Sequence, residues 1–212
     1  MTGKRILIIP GWMPTMSDYK KLSNDLNASM YLPKGKDFNE MSSSLRNYLM
    51  KTNFDVVIGF DMSASLLLNS AQSGNVILVN PFYKEVNGFA YRMNASVLST
   101  MKISTIGVKL VGLFMVNSMS KMSKEFVDNF MHCNPDYEAT RIRTTMDTSV
   151  DRVATANFKY VYSERDRIIP QECRQMLIDN YKLTEVEKVP GGHTPILECY
   201  QVLLEKLRKL VG

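Results

Sequence analysis

The chain has 212 residues, a length that suits one domain or one core with a sizeable insertion. Its 45% hydrophobic and 22% charged residues are the proportions of a globular protein and exclude a disordered or fibrous one. The formal charge of +5 is spread over scattered Lys and Arg with no basic block, so no nucleic-acid partner is expected; no stretch is apolar for long enough to imply membrane insertion.

Residues 4–9 read as a buried strand closed by Pro10-Gly11. The apolar run is too short for a signal peptide and no small-residue cleavage site follows, so a cytoplasmic protein is expected. Cys133, Cys173 and Cys199 are an odd number without metal spacing and read as free thiols of a reducing compartment. A helix capped by Ser17 or Asp18 runs to about Leu26, with Tyr19, Leu22 and Leu26 on one face. A short strand at 30–32 precedes Pro33. Residues 37–50 read as a helix burying Phe38, Met41, Leu45 and Leu49. A strand at 54–58, a sharp turn, a helix from 63 to about 71 and a strand at 75–79 follow, ending at Asn80-Pro81-Phe82.

This alternation predicts a mostly parallel sheet flanked by helices. It stops between about 83 and 152, where helical stretches dominate (103–118, 121–131 and part of 137–150). It resumes with a strand at 158–162, a helix at 171–179, a strand at 184–188 and a closing amphipathic helix at 196–210. The expected organisation is an α/β core from 1–82 and 153–212, with 83–152 a helical cap over the carboxyl ends of the strands, where open α/β sheets bind ligands.

Three polar residues fall just past strand ends. Asp61 follows Gly59 in Val56-Val57-Ile58-Gly59-Phe60-Asp61-Met62-Ser63, the small-x-nucleophile-x-small form of a nucleophile elbow. Asp166 follows a strand in Ser163-Glu164-Arg165-Asp166, and His193 follows the last strand in Gly191-Gly192-His193. Each has a blander reading: Asp61 as a carboxylate at a helix N-terminus, Asp166 as a turn residue or cap, His193 as a structural histidine. Parallel neighbouring strands would bring the three together. Asp55 reads as a surface residue, and His132, within the expected insertion, as structural.

The elbow Gly59-x-Asp61-x-Ser63, the segment Asp166-Arg167-Ile168-Ile169-Pro170, Gly192-His193 and the loop Pro10-Gly11-Trp12 together resemble the α/β-hydrolase superfamily, over nearly the whole chain in element order. The loop departs from the usual His-Gly, and the elbow carries Asp where Ser is commoner. The resemblance implies a catalytic triad of Asp61, His193 and Asp166, and an oxyanion hole from the backbone N–H groups of Trp12 and Met62.

An elbow aspartate is suited to attack on an sp3 carbon bearing a leaving group, giving an alkyl ester that a His-activated water then hydrolyses. Among superfamily members with Asp at the elbow, a dehalogenase would commonly place Trp directly after it; here that position is Met62. An epoxide hydrolase needs an acid, typically a cap tyrosine, for which Tyr83, Tyr91 and Tyr137 are the candidates, with Trp12 also facing the pocket. The main expectation is therefore hydrolysis of a small, largely apolar substrate through an Asp61 alkyl-enzyme, epoxide hydrolase-like. The alternatives are a non-hydrolytic acid–base enzyme (isomerase, epimerase or cyclase) using Asp61 and His193, a serine-type esterase or thioesterase relative with an altered nucleophile, and a binding protein. No metal spacing or dinucleotide fingerprint is present, so no cofactor is expected, and the oligomeric state is monomer or homodimer.

Overall fold

The computed structural model describes residues 3–11, 16–71, 73–83, 155–166 and 168–212. Six strands, β1 (Ile6–Ile9), β2 (Ala28–Met30), β3 (Val56–Phe60), β4 (Asn75–Val79), β5 (Asn157–Ser163) and β6 (Val186–Val189), form one sheet in the order β2-β1-β3-β4-β5-β6. Every neighbouring pair is parallel. Strands from both sides of the expected insertion thus build the same sheet. The expected cap and its helices, Tyr91, Tyr137, His132 and Cys133 lie outside the described residues, as do Trp12 and Arg167.

Side chains alternate across a strand, and the apolar residues sort accordingly onto two faces. Leu7, Ile9, Val57, Val76, Leu78, Phe158 and Tyr160 face a cluster with α2 (Phe38–Lys51), α3 (Asp61–Ser70) and α4 (Gln171–Tyr181). Ile6, Ile8, Val56, Ile58, Phe60, Ile77, Val79, Val161 and Val189 face a second cluster with α1 (Met16–Leu26), α5 (Pro195–Glu198) and α6 (Tyr200–Val211). The helical spacing read from the sequence places Tyr19, Leu22 and Leu26, and Phe38, Met41 and Leu45, on these buried faces. Asp37 caps α2, accepting the Glu40 N–H at 2.8 Å, while Glu40 takes the Lys36 N–H at 2.9 Å.

Two boundaries differ from expectation in ways that matter to the site. The strand expected at 54–58 runs to Phe60, and the helix starts at Asp61 itself. The Phe60 ring packs edge-on against Tyr19, with centroids 5.0 Å apart, which holds that residue extended. The closing helix is two helices broken at Cys199, whose backbone (φ −147°, ψ 46°) is not helical. The break lets Glu198 turn back and accept the Gly192 N–H at 2.9 Å, beside His193.

Candidate active site

The turn from β3 into α3 is sharp for two reasons. Gly59 lets the helix pack against the strand, since a Cβ there would stand 2.5 Å from Leu67 Cδ1 and 2.9 Å from Ala64 Cα. Asp61 takes φ +50°, the left-handed region that aspartate tolerates better than most residues. Its side chain is thereby lifted off the sheet edge. Ser63 Oγ donates to the Pro10 carbonyl at 2.6 Å and Ser65 Oγ to the Phe82 carbonyl at 2.7 Å, tying α3 to the loops leaving β1 and β4. Gly11 leaves room for the carboxylate: a Cβ on it would overlap Asp61 Oδ2 and stand 2.8 Å from the Tyr19 hydroxyl.

His193 lies between two carboxylates. Its Nε2 is 3.1 Å from Asp61 Oδ1 and its Nδ1 2.9 Å from Asp166 Oδ2. The three side chains are 12% (Asp61), 4% (His193) and 1% (Asp166) exposed, so Asp61 is the member nearest to solvent. Phe82 packs against the imidazole with centroids 5.0 Å apart. Asp166 Oδ1 accepts the N–H groups of Ile168 at 2.8 Å and Ile169 at 3.1 Å, so Asp166 is both the turn residue and the partner of His193. Arg174 on α4 fixes that turn, donating to the carbonyls of Asp166 at 2.8 Å and Ile169 at 2.9 Å.

The electrostatics follow from this geometry. Burial pushes the imidazole towards neutrality, but the Asp166 and Asp61 carboxylates outweigh it and raise His193 to about 10. The two carboxylates thus favour the ring form with a proton on each nitrogen. Burial pushes the Asp166 carboxyl up, yet His193 and the two backbone N–H groups hold it below the usual carboxylate range.

Of the sequence-predicted site residues, Asp61, His193 and Asp166 are brought together. Met62 follows in the first turn of α3, whose N-cap residue Phe60 makes no side-chain cap bond. Tyr83 is 5% exposed; its hydroxyl accepts from Asn180 at 2.8 Å and its ring lies edge-on to Tyr181, so its polar end is engaged with α4. Asp55 is exposed at the opposite end of β3, where its carboxylate accepts the Arg5 N–H at 2.7 Å. Cys173 and Cys199 are free. Among the described residues, no cluster of three or more His, Cys, Asp or Glu could hold a metal ion, and no helix is long and apolar enough to cross a membrane.

Sequence reading missed Arg174 and Asn80. Asn80, just past β4, donates from Nδ2 to Ser163 Oγ and to the His193 carbonyl, both at 2.8 Å, and accepts the Ser163 N–H at 2.9 Å. The available signal was a lone amide between an apolar strand and a proline.

No protein-family model matches the chain, and no curated protein sequence matches it. Solved structures do. A hydrolase from Oleispira antarctica superposes with a TM-score of 0.76 at 11% identity, covering 100% of this chain and 92% of that one. An α/β-hydrolase fold protein from Burkholderia ambifaria gives 0.74 at 14% identity, covering 98% and 91%. An esterase from Exiguobacterium antarcticum gives 0.65 at 13% identity, covering 99% and 92%. The chain has the α/β-hydrolase fold.

Proposed function

We propose that the chain is a hydrolase in which Asp61 is the nucleophile, His193 the acid–base group and Asp166 its orienting carboxylate. The observation that carries this reading is the contact of His193 Nε2 with Asp61 at 3.1 Å while Nδ1 is held by Asp166 at 2.9 Å. That is the relation of nucleophile, base and orienting group needed for covalent catalysis. The fold and its hydrolase neighbours add support at the level of architecture.

An aspartate in this role attacks an sp3 carbon. An Asp61 oxygen forms the new C–O bond as the bond to the leaving group breaks, and the leaving group departs with the electron pair. Alkylation removes the Asp61 charge, so His193 loses one of the two carboxylates that hold its extra proton and gives that proton up to the displaced group, leaving a neutral ring. It can then accept a proton from water, whose oxygen attacks Asp61 Cγ. The tetrahedral oxyanion falls near the first turn of α3, where the resemblance implies the Met62 and Trp12 N–H groups as its donors. Collapse releases the alcohol with a proton from His193, and the Asp61 carboxyl then returns its own proton to the ring, which restores the starting pair with one Asp61 oxygen now from solvent. A small, largely apolar epoxide is the substrate class this reading favours, with Tyr91 and Tyr137 as candidate acids for the opened oxygen.

The test is intact mass of H193Q after exposure to pooled epoxides, alkyl halides and esters. A substrate-sized adduct on the peptide holding Asp61 is expected, and wild type turned over in H2 18O should carry 18O at the same residue. Turnover by wild type without label in Asp61 would overturn the covalent route. The direct contact of His193 Nε2 with Asp61 also favours a second reading, in which Asp61 and His193 act as base and acid on a substrate that is not hydrolysed. Solvent deuterium entering a product while Asp61 remains unlabelled would select it.

A further inference from the structure

Four consecutive strands each deliver one polar residue to the same edge of the sheet: Asp61 after β3, Asn80 after β4, Asp166 within the turn after β5, and His193 after β6. Three have been given roles. Asn80 stands between the two carboxylate-bearing strands and is 1% exposed. Its backbone takes φ +45°, a conformation that glycine adopts without penalty and other residues adopt at a cost. The side chain gives the reason to place an asparagine there. A carboxamide has one acceptor oxygen and two N–H donors on a rigid plane. Here the oxygen takes the Ser163 N–H, and the nitrogen reaches both Ser163 Oγ and the His193 carbonyl.

The loop carrying His193 needs such an anchor. Two glycines precede the histidine. The described bonds that hold the loop from outside are Arg165 N–H to the Gly191 carbonyl at 2.9 Å, Gly192 N–H to Glu198, and Asn80 to the His193 carbonyl. Among the described residues, Asn80 is the one that bonds the histidine's own carbonyl. An imidazole that must meet one oxygen at each nitrogen tolerates little backbone drift.

We propose that Asn80 is a positioning residue, whose carboxamide fixes the His193 backbone against the ends of β4 and β5 and so sets the ring between Asp61 and Asp166. This rests on the reading of His193 as the group that serves Asp61, but its test does not require a substrate.

The chain has two histidines, His132 and His193, so 15N-histidine labelling gives two imidazole signal sets, assigned with H132Q. The primary variant is Asn80→Gly, which suits the left-handed backbone and removes the carboxamide. Asn80→Asp keeps the shape but turns a carboxylate onto the His193 carbonyl, and Ser163→Ala removes one partner of Asn80 while leaving its bond to His193. In N80G and N80D, solvent exchange of the His193 ring N–H protons should quicken about tenfold or more, the size of one lost buried hydrogen bond. S163A should stay within about twofold of wild type, since the bond to His193 remains. With a turned-over substrate, N80G should lower kcat about 100-fold, as for a roughly 1 Å misplacement, with KM little changed. A folded N80G with wild-type ring signals and exchange overturns the proposal; so does an equal effect in S163A, which would mark a general packing role. If N80G does not fold, N80D carries the same two outcomes. Absence of any Asp61 adduct in H193Q would count against the hydrolase reading and leave the Asn80 result standing.

Discussion

The two carboxylates that flank His193 are built differently. Asp166 is 1% exposed in its side chain, one oxygen is occupied by two backbone N–H groups, and its turn is pinned by Arg174. Asp61 is 12% exposed, starts a helix from a left-handed backbone and directs its second oxygen into the space left by Gly11. A carboxylate whose lone pairs are already spoken for can orient and stabilise a cation, and has little left with which to attack. One held at a left-handed turn, with a second oxygen against Gly11 and more of its side chain exposed, keeps more freedom to react. Under the proposed function, two chemically identical groups would thus have unlike tasks.

The sharpest way to break this comparison is to neutralise each carboxylate in turn. Asp61→Asn should abolish turnover and the adduct trapped in H193Q. Asp166→Asn keeps the nucleophile and should still form an adduct, with kcat lowered about 10,000-fold because the ring loses its orienting partner. Equal adduct yields from the two variants would remove the distinction. The pH course of stability gives an independent reading. His193 is raised from 6.5 to about 10 in the native protein, so the folded state binds the extra proton more tightly than the unfolded chain. Its contribution is complete below about 6.5, the unfolded value, and is lost as pH climbs through about 10. Denaturant unfolding should show stability declining across that window in wild type. In Asp166→Asn the decline should begin at the same pH but end at lower pH and be smaller, and it should vanish in H193Q.

Gly11→Ala acts on the open side of the comparison alone. Its Cβ would overlap Asp61 Oδ2 and press on the Tyr19 hydroxyl, pushing the carboxylate off His193 while Asp166 stays in place. A fall of about 100-fold in kcat is expected for a displacement near 1 Å. Wild-type kcat in this variant, with unchanged unfolding, would mean that Asp61 does not need its described position.

The three acidic and imidazole groups were legible in the sequence because each is a polar residue shortly past a strand end, and parallel strands deliver such residues to one edge. Asn80 obeys the same rule and was read only as a strand end, since its partners Ser163 and His193 are 83 and 113 residues away and pairwise reach is invisible to periodicity. Arg174 was hidden similarly, as an ordinary charged residue on a helix whose fork bonds carbonyls 8 and 5 residues earlier. The extension of β3 to Phe60 was missed because Gly59 reads as a strand end, whereas in the structure its missing Cβ makes room for Leu67 and Ala64 of α3. The break at Cys199 accompanies the contact of Glu198 with Gly192, a tertiary contact that an uninterrupted amphipathic pattern does not reveal.

The smallest expected effect tests how the reactive carboxylate is carried. Ser63 fills the last small position of the elbow, and its hydroxyl donates to the Pro10 carbonyl at 2.6 Å, one residue before Gly11. Ser65, two residues on, makes the equivalent bond to the Phe82 carbonyl at 2.7 Å, on the side of β4. Replacing either by Ala leaves a carbonyl without that hydroxyl and should lower unfolding stability by about 1–3 kcal/mol. The two variants should part in activity. Ser63→Ala loosens the register between the elbow and the Gly11 space into which Asp61 points, and should lower kcat several-fold beyond Ser65→Ala at a matched stability loss. Equal kcat in the two would mean that α3 holds Asp61 through the β3 junction alone, with the Pro10 bond serving stability only.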